Sequence, residues 1–221
     1  MTLVALSASY GAGGSVIGPA VAARLGVPFV DRAIPLAVAD QLQVPFDDAV
    51  AHDDQVSTGW LERMLSGFVG SDAGVPSPLL PDTFSSEDFQ RATVEVLLKQ
   101  AQTGQGVILG RGAVALLRDR PDVLRVRLHG PVDARVRQAM QLDRSLDIES
   151  AEHTLLQFDR THAAYLQKFY GLDIGDCSLY HVMLESTRIE FEACVEMIVR
   201  AARSLAASSG GGAWSFDSPE Q

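Results

Sequence analysis

The 221-residue sequence is poor in cysteine and lysine and has no long apolar run. Its two cysteines, Cys177 and Cys194, are too few for a disulfide framework or a zinc site, so we expect both thiols to be reduced. No apolar run approaches the roughly 18 residues of a membrane span, and the N-terminus lacks a basic region followed by an apolar one. These absences predict a cytoplasmic protein without a membrane partner.

The net charge of −10 argues against a nucleic acid polymer as partner, because such binding needs a basic face. The charges are unevenly spread, and residues 111–160 hold 9 arginines against 8 acidic residues. Lysine is almost absent, with Lys99 and Lys168 as the two in the chain. Arginine donates paired hydrogen bonds in one plane, so this local excess favours a small phosphate-rich ligand. For any single arginine, an exposed helix surface is the simpler interpretation.

A glycine-rich stretch stands at the N-terminus. An apolar run over residues 3–6 is followed by three glycines and, from about Ser15, by a helical pattern. Glycine amides can turn around an anion, and the start of a helix adds partial positive charge. At the positions of the Walker A motif the chain has Ala8, Gly13, Gly14 and Ser15, so the spacing is kept and the lysine is missing. This pattern predicts a modified phosphate-binding loop, with a tight strand-to-helix turn as the alternative.

Strands alternate with helices along the chain, whose hydrophobic content of 47% suits one sizeable core. Apolar runs predict strands at 3–6, 27–32, 106–109, 123–129 and 181–185, and helical spacing is seen at 33–42, 86–104, 132–144, 149–168 and 189–205. The order predicts an α/β three-layer sandwich with a mostly parallel sheet. Residues 44–88, which include a Gly-, Ser- and Pro-rich part, are expected to be an insertion, and 206–221 a disordered tail.

Two glycine-containing segments follow directly on predicted strands. They are the N-terminal loop and Gly110-Arg111-Gly112. Ligands of such folds bind beyond the carboxyl ends of the strands, so both segments are expected at one site. Arg111 is therefore a candidate ligand-binding residue, and a structural ion pair is its alternative.

Five segments are recognisable together in their order: the Ser-x-x-Tyr-Gly-Ala-Gly-Gly pattern from Ser7, residues 28–32, 107–112 and 120–137, and Asp159-Arg160 followed by Tyr165 and Tyr170. The set resembles the cytidylate kinase-like family of P-loop nucleoside monophosphate kinases. The resemblance covers most of residues 1–205 and is weakest over 44–88. It implies a P-loop kinase-like core of residues 1–43, 89–130 and 179–205, an inserted substrate-binding segment over 44–88 and a helical lid over 131–178.

The resemblance also implies the site. The ATP phosphates would be held by Tyr10, Gly11, Ala12, Gly13, Gly14 and Ser15, with Mg²⁺ on the Ser15 hydroxyl. The acceptor, CMP or dCMP, would be bound by Asp31, Arg32, Arg111 and Asp159, and the transferred phosphoryl group would be neutralised by Arg135, Arg137 and Arg160. Phosphoryl transfer depends mainly on positioning and charge, which suits these residue types. Their structural alternatives are helix capping for Asp31, exposed helix charge for Arg135 and Arg137, and a surface pair for Asp159-Arg160.

The chain departs from the family pattern at three positions. Gly14 stands where cytidylate kinases carry the Walker lysine, Gly112 where they carry an aspartate, and Ala8 where the cytidylate kinase-like relatives commonly have arginine. Two cations for the donor phosphates are therefore missing. This supports a second hypothesis, a nucleotide-binding regulatory domain without efficient catalysis, and a third is a protein-interaction module. Nucleotides are the expected partners, and a homodimer is left open.

Overall fold

The computed structural model describes residues 2–32, 94, 97–110 and 112–208, and for Asp31 and Arg32 the main chain alone. The predicted insertion over 44–88, the predicted helix over 33–42 and Arg111 lie outside the described residues. The same holds for most of the predicted helix over 86–104 and for residues 209–221.

Five strands form one sheet, and all four neighbouring pairs are parallel. The strands are β1 (Thr2–Ala8), β2 (Phe29–Arg32), β3 (Gln105–Gly110), β4 (Val123–His129) and β5 (Val182–Glu185), in the order β2-β3-β1-β4-β5. The helices are α1 (Gly14–Leu25), α2 (Ala113–Leu116), α3 (Val132–Leu142), α4 (Ile148–Tyr170) and α5 (Phe191–Ser208), and a short 3₁₀ helix covers Cys177–Leu179. The predicted α/β fold with a parallel sheet is confirmed.

The central strand β1 is apolar on both faces, so the sheet has a core on each side. On one face Val4 and Leu6 pack in a cluster with residues of α1 and α5. On the other face Leu3 and Ala5 pack with α2 and with the helical residues 97–101. Helices therefore cover both faces, and the carboxyl end of β1 is left to lead into the glycine loop.

Most predicted boundaries lie close to the observed ones, and β4 covers the predicted residues 123–129. The last helix is longer than expected. It ends at Ser208, so 206–208, assigned to the disordered tail, are helical. Leu205 packs against the core, and the Ser208 hydroxyl donates to the Ser204 carbonyl, which extends the helix. No helix among the described residues is long and apolar enough to cross a membrane.

Candidate functional site

The loop between β1 and α1 turns on two glycines in the left-handed region, Gly11 at φ 74° and Gly13 at φ 75°. Packing excludes side chains at the same places. A Cβ on Gly11 would lie 2.4 Å from the Arg135 carbonyl oxygen, and one on Gly13 would lie 2.6 Å from the Phe191 ring. Both the backbone angle and the space therefore require glycine.

The carbonyl groups of this loop are bound from outside. Arg135 Nη1 donates to the Tyr10 carbonyl at 3.0 Å, and Gln138 Nε2 donates to the Gly11 carbonyl at 2.9 Å. The Ser186 hydroxyl donates to the Ala12 carbonyl at 2.7 Å. Three successive peptide oxygens are thus fixed by side chains of α3 and of the turn after β5.

The amides of the loop are mostly left without acceptors. Ala12 donates its amide to the Ser9 carbonyl at 3.0 Å, so this residue offers no free donor to a ligand. The amides of Gly11, Gly13, Gly14 and Ser15 have no acceptor among the described residues. They lie at the start of α1, whose N-cap Gly13 provides no side-chain cap and whose first turn contains no acidic residue. Free amides at an uncapped helix N-terminus form an anion-binding geometry, and this fits a phosphate.

The absence of a lysine at position 14 is structurally connected with Ala8, another position where the chain departs from the family pattern. A Cβ on Gly14 would lie 2.7 Å from the Ala8 Cβ and 3.3 Å from Leu109 Cδ1. Because Ala8 Cβ is held by the backbone of β1, it cannot move aside easily. The methyl group of Ala8 therefore fills the space from which a side chain at position 14 would start.

Arg135 and Asp159 are brought together beside the loop. Arg135 is 4% exposed, and its Nη2 lies 2.8 Å from an Asp159 carboxylate oxygen. Its Nε donates to the Gly130 carbonyl at 2.8 Å, and its Nη1 donates to Tyr10 as described. The alternative of an exposed helix charge is wrong for Arg135, because the guanidinium is buried where α3 and α4 meet the loop.

The other two arginines predicted to act in catalysis lie on the surface. Arg137 is exposed and pairs with Asp133 one helical turn earlier at 2.9 Å. Arg160 is exposed on α4 and has no partner among the described residues. Ser15 is exposed in the first turn of α1, and its hydroxyl makes no hydrogen bond in the described part of the chain. In residues 2–32, 97–110 and 112–208, no three His, Cys, Asp or Glu side chains are grouped so that they could hold a metal ion.

The predicted acceptor residues lie at the ends of two paired strands. Asp31 is in register with Leu109, and Arg32 with Gly110, at the carboxyl ends of β2 and β3. Their main chains are thus next to Leu109 and Gly110, and Arg111, which follows in the sequence, lies outside the described residues.

Sequence reasoning missed Arg127 on β4. It is 9% exposed, and its Nη1 and Nη2 donate to the Ser7 and Ser9 hydroxyls at 2.8 and 2.9 Å. Its guanidinium carbon lies 6.0 Å from the Tyr180 ring centroid, and burial lowers its pKa. Ser7 and Arg127 are register partners in adjacent parallel strands. The available signal was the alternation of β4, which places arginines on one face of a strand beside the one that leads into the loop.

A small pocket of about 10 Å³ opens next to Arg127, on the sheet face of Leu3 and Ala5. Its polar lining comes from Ser7, His162 and Tyr180, and its floor includes residues 110 and 112–115. His162 is buried, and desolvation together with the charge of Arg127 lowers its pKa to about 3. The imidazole is therefore neutral at pH 7 and adds no second positive charge.

A parallel sheet in this order, with a glycine loop between its central strand and the first helix, is the architecture of the P-loop kinase fold. The family comparison agrees. The profile of the cytidylate kinase-like family matches residues 3–188, and the chain belongs to this family. The resemblance inferred from the sequence is confirmed.

Individual relatives are distant. The chain is 32% identical over 63 residues to a cytidylate kinase of Methanoregula boonei, a stretch that covers 28% of this chain and 35% of that protein. An uncharacterized protein from Eubacterium ventriosum aligns over 92% of this chain and 99% of its own with a TM-score of 0.62 and 16% identity. A gluconokinase from Sinorhizobium meliloti aligns over 95% of both chains with a TM-score of 0.51 and 15% identity. At these identities the two structures speak for the fold alone.

Proposed function

We propose that the chain is an ATP-dependent nucleoside monophosphate kinase that phosphorylates a pyrimidine monophosphate such as CMP or dCMP. The observation that carries the proposal is the group of free amides from Gly11 to Ser15 at the N-terminus of α1. Family membership supports a small-molecule kinase, and the name of the Methanoregula boonei relative supports cytidylate as acceptor.

In this proposal the loop holds the donor phosphates. The amides of Gly11, Gly13, Gly14 and Ser15 would donate to phosphate oxygens, and the Ser15 hydroxyl would hold Mg²⁺. Bound Mg²⁺ neutralises part of the triphosphate charge. Because the loop carbonyls are already fixed, the amides need little reorganisation to point at the phosphate oxygens. Phosphoryl transfer is catalysed mainly by such preorganised donors.

The acceptor side is assigned to Asp31, Arg32 and Arg111, around the carboxyl ends of β2 and β3. An oxygen of the acceptor phosphate attacks the γ-phosphorus of ATP, the bond to the bridging oxygen breaks, and ADP leaves. Arg137 and Arg160 are exposed on α3 and α4, and they neutralise the transferred group only if the lid brings them to it.

Arg135 and Asp159 are given a different role from the one the family resemblance implied. Three groups on the Arg135 guanidinium are already engaged, with Gly130, Tyr10 and Asp159. We assign Arg135 as a positioning residue that holds the Tyr10 carbonyl, and Asp159 as its counter-charge. Neither needs to touch the substrate.

The second candidate is a nucleotide-binding regulatory domain with little turnover. This candidate is favoured by the contact between a Cβ at position 14 and the Ala8 methyl, because the loop has no space there for the lysine of the Walker A motif. Removing one cation that stabilises the transition state commonly costs a factor of about 10² to 10³ in kcat.

A coupled assay for ADP over a panel of monophosphates, together with direct binding of the non-hydrolysable ATP analogue AMP-PNP, separates the candidates. Turnover with CMP or dCMP above the other acceptors supports the kinase. AMP-PNP binding without turnover supports the regulatory domain, and absence of both overturns the two. Arg111→Ala is expected to raise KM for the monophosphate while AMP-PNP binding stays unchanged.

A further inference from the structure

Arg127 is a buried cation with no carboxylate partner in the described part of the chain. It is 9% exposed, and no Asp or Glu oxygen of residues 2–30, 97–110 and 112–208 lies within 4.0 Å of its guanidinium. Two serine hydroxyls accept from it, and the Tyr180 hydroxyl contributes a further hydrogen bond, so its partners among the described residues are neutral. Burying a charge is costly unless an opposite charge is supplied. Asp159 acts on Arg127 at longer range, but its carboxylate is paired with Arg135.

The guanidinium stands beside the pocket at the carboxyl ends of the strands. Ser7 and Tyr180, which both contact Arg127, also line that pocket, together with Gly110 and Gly112. The Tyr180 hydroxyl donates to the Ile174 carbonyl, which leaves its oxygen to accept from Arg127.

The location separates this charge from the donor loop. Ser7 follows Leu3 and Ala5 on one face of β1, and α1 packs on the opposite face with Val4 and Leu6. The free amides at the start of α1 and the guanidinium of Arg127 therefore approach the end of β1 from different faces of the sheet.

We propose that Arg127 binds the phosphate of the acceptor at the carboxyl end of β1, beside Ser7. This deepens the proposed function and rests on it for the identity of the acceptor as a nucleoside monophosphate. Arg127 then supplies, from the acceptor side, a fixed positive charge that the loop lacks at Gly14. Ser7 and Ser9 hold the guanidinium in place, and the bound phosphate provides the missing counter-charge.

The test compares two arginines of the same strand face. Arg127→Met removes the charge and keeps most of the chain length, and Arg127→Lys keeps the charge. Arg125→Met is the matched control, because Arg125 donates to the main-chain carbonyls of Leu179 and Arg118. Binding of CMP, AMP-PNP and inorganic phosphate to the full chain is measured by isothermal titration calorimetry.

Loss of a charge-assisted hydrogen-bonding group is expected to weaken CMP binding by about 10- to 100-fold in Arg127→Met. Arg127→Lys should retain part of the affinity. AMP-PNP binding should change by less than about threefold, and Arg125→Met should leave both ligands within the same limit.

Three results overturn the proposal. They are unchanged CMP binding in Arg127→Met, an equal loss of CMP and AMP-PNP binding in that variant when it is folded, and an equal loss of CMP binding in Arg125→Met. If Arg127→Met does not fold, Arg127→Lys decides. A fall in its CMP affinity with an unchanged AMP-PNP affinity supports the proposal, and the same change in both affinities overturns it.

Failure of the proposed function gives a different result. If the unsubstituted chain binds AMP-PNP but no monophosphate, the kinase assignment fails. Inorganic phosphate then tests the site itself. Binding that Arg127→Met abolishes and Arg125→Met retains supports an anion site at Arg127, whereas binding that both variants retain overturns it.

Discussion

Two buried arginines flank the start of the glycine loop, and they differ in what compensates their charge. Arg135 on α3 has a carboxylate at 2.8 Å and two main-chain carbonyls, one of them in the loop. Arg127 on β4 has two hydroxyls and an aromatic face. Both are almost fully buried, so exposure does not distinguish them.

The difference separates a structural role from a binding role. A buried cation whose donors end on its own protein holds those acceptors in place, as Arg135 does for Tyr10. A buried cation with neutral partners keeps its electrostatic potential available for an incoming anion. The predictions below test this distinction, beginning with the largest expected effect.

Replacing Arg135 should destabilise the fold. Arg135→Met leaves the half-buried Asp159 carboxylate without its partner and releases the Tyr10 and Gly130 carbonyls, and we expect these losses together to cost about 3–4 kcal/mol. Urea denaturation measures the loss. The control is Arg137→Met on the same helix, whose partner Asp133 is exposed, and no measurable change is expected there. Equal effects of the two substitutions would contradict the structural role of Arg135.

A methyl group at Gly11 should be nearly as harmful. Gly11→Ala combines a left-handed backbone with a contact of 2.4 Å to the Arg135 carbonyl oxygen. We expect a loss of about 2–4 kcal/mol in the free energy of unfolding and weaker AMP-PNP binding. Gly26→Ala is the matched control, since Gly26 has φ 67° and open space around it. It should cost about 1–2 kcal/mol and leave AMP-PNP binding unchanged.

The Arg127 side of the loop should become less stable in mild acid. The folded-state pKa of His162 is about 3, below its ordinary value of 6.5, because it is buried and near Arg127. The unfolded chain therefore binds more protons below pH 6.5, so this contribution is complete above that pH and is lost as the pH falls toward 3. One such group costs about 1.4 kcal/mol per pH unit in that window.

The measurement is the free energy of unfolding at pH 7, 6 and 5 for the unsubstituted chain and for His162→Gln. The substituted chain should lose about 2 kcal/mol less than the unsubstituted one between pH 7 and 5. His153→Gln, an exposed position on the same helix, should follow the unsubstituted chain. His181, whose pKa burial also lowers, contributes in the same direction to every variant and cancels in the comparison.

The smallest effect concerns the linked departures in the loop. Gly14→Lys should destabilise the chain because its Cβ meets the Ala8 methyl, and adding Ala8→Gly should remove that clash. We expect a coupling of about 1 kcal/mol between the two substitutions in a double-mutant cycle. Additive effects would show that Ala8 does not exclude a side chain at position 14.

The sequence predicted most of the architecture, because its signals are local. Buried strand β4 was visible in the apolar alternation of residues 123–129, and the loop glycines were visible because a left-handed turn favours glycine. The assignment of ATP and acceptor contacts to individual residues remains a proposal, since Arg111 and the side chains of Asp31 and Arg32 lie outside the described residues.

Partners distant in sequence could not be predicted in this way. Arg127 meets Ser7 across 120 positions, and Arg135 meets Tyr10 across 125. On a helix, Arg135 and Arg137 look alike, and only the packing of α3 against the loop buries one and exposes the other. Likewise, the pairing of Ala8 with Gly14 is a matter of Cβ distance, which spacing in a motif does not contain.

The amino-acid sequence by itself determined the order of strands and helices, the place of the turn after β1 and the absence of a lysine there, because these depend on neighbouring residues. The tertiary structure decided which arginine is neutralised and which is left with its charge, because that depends on where β1, β4, α3 and α4 bring their side chains together.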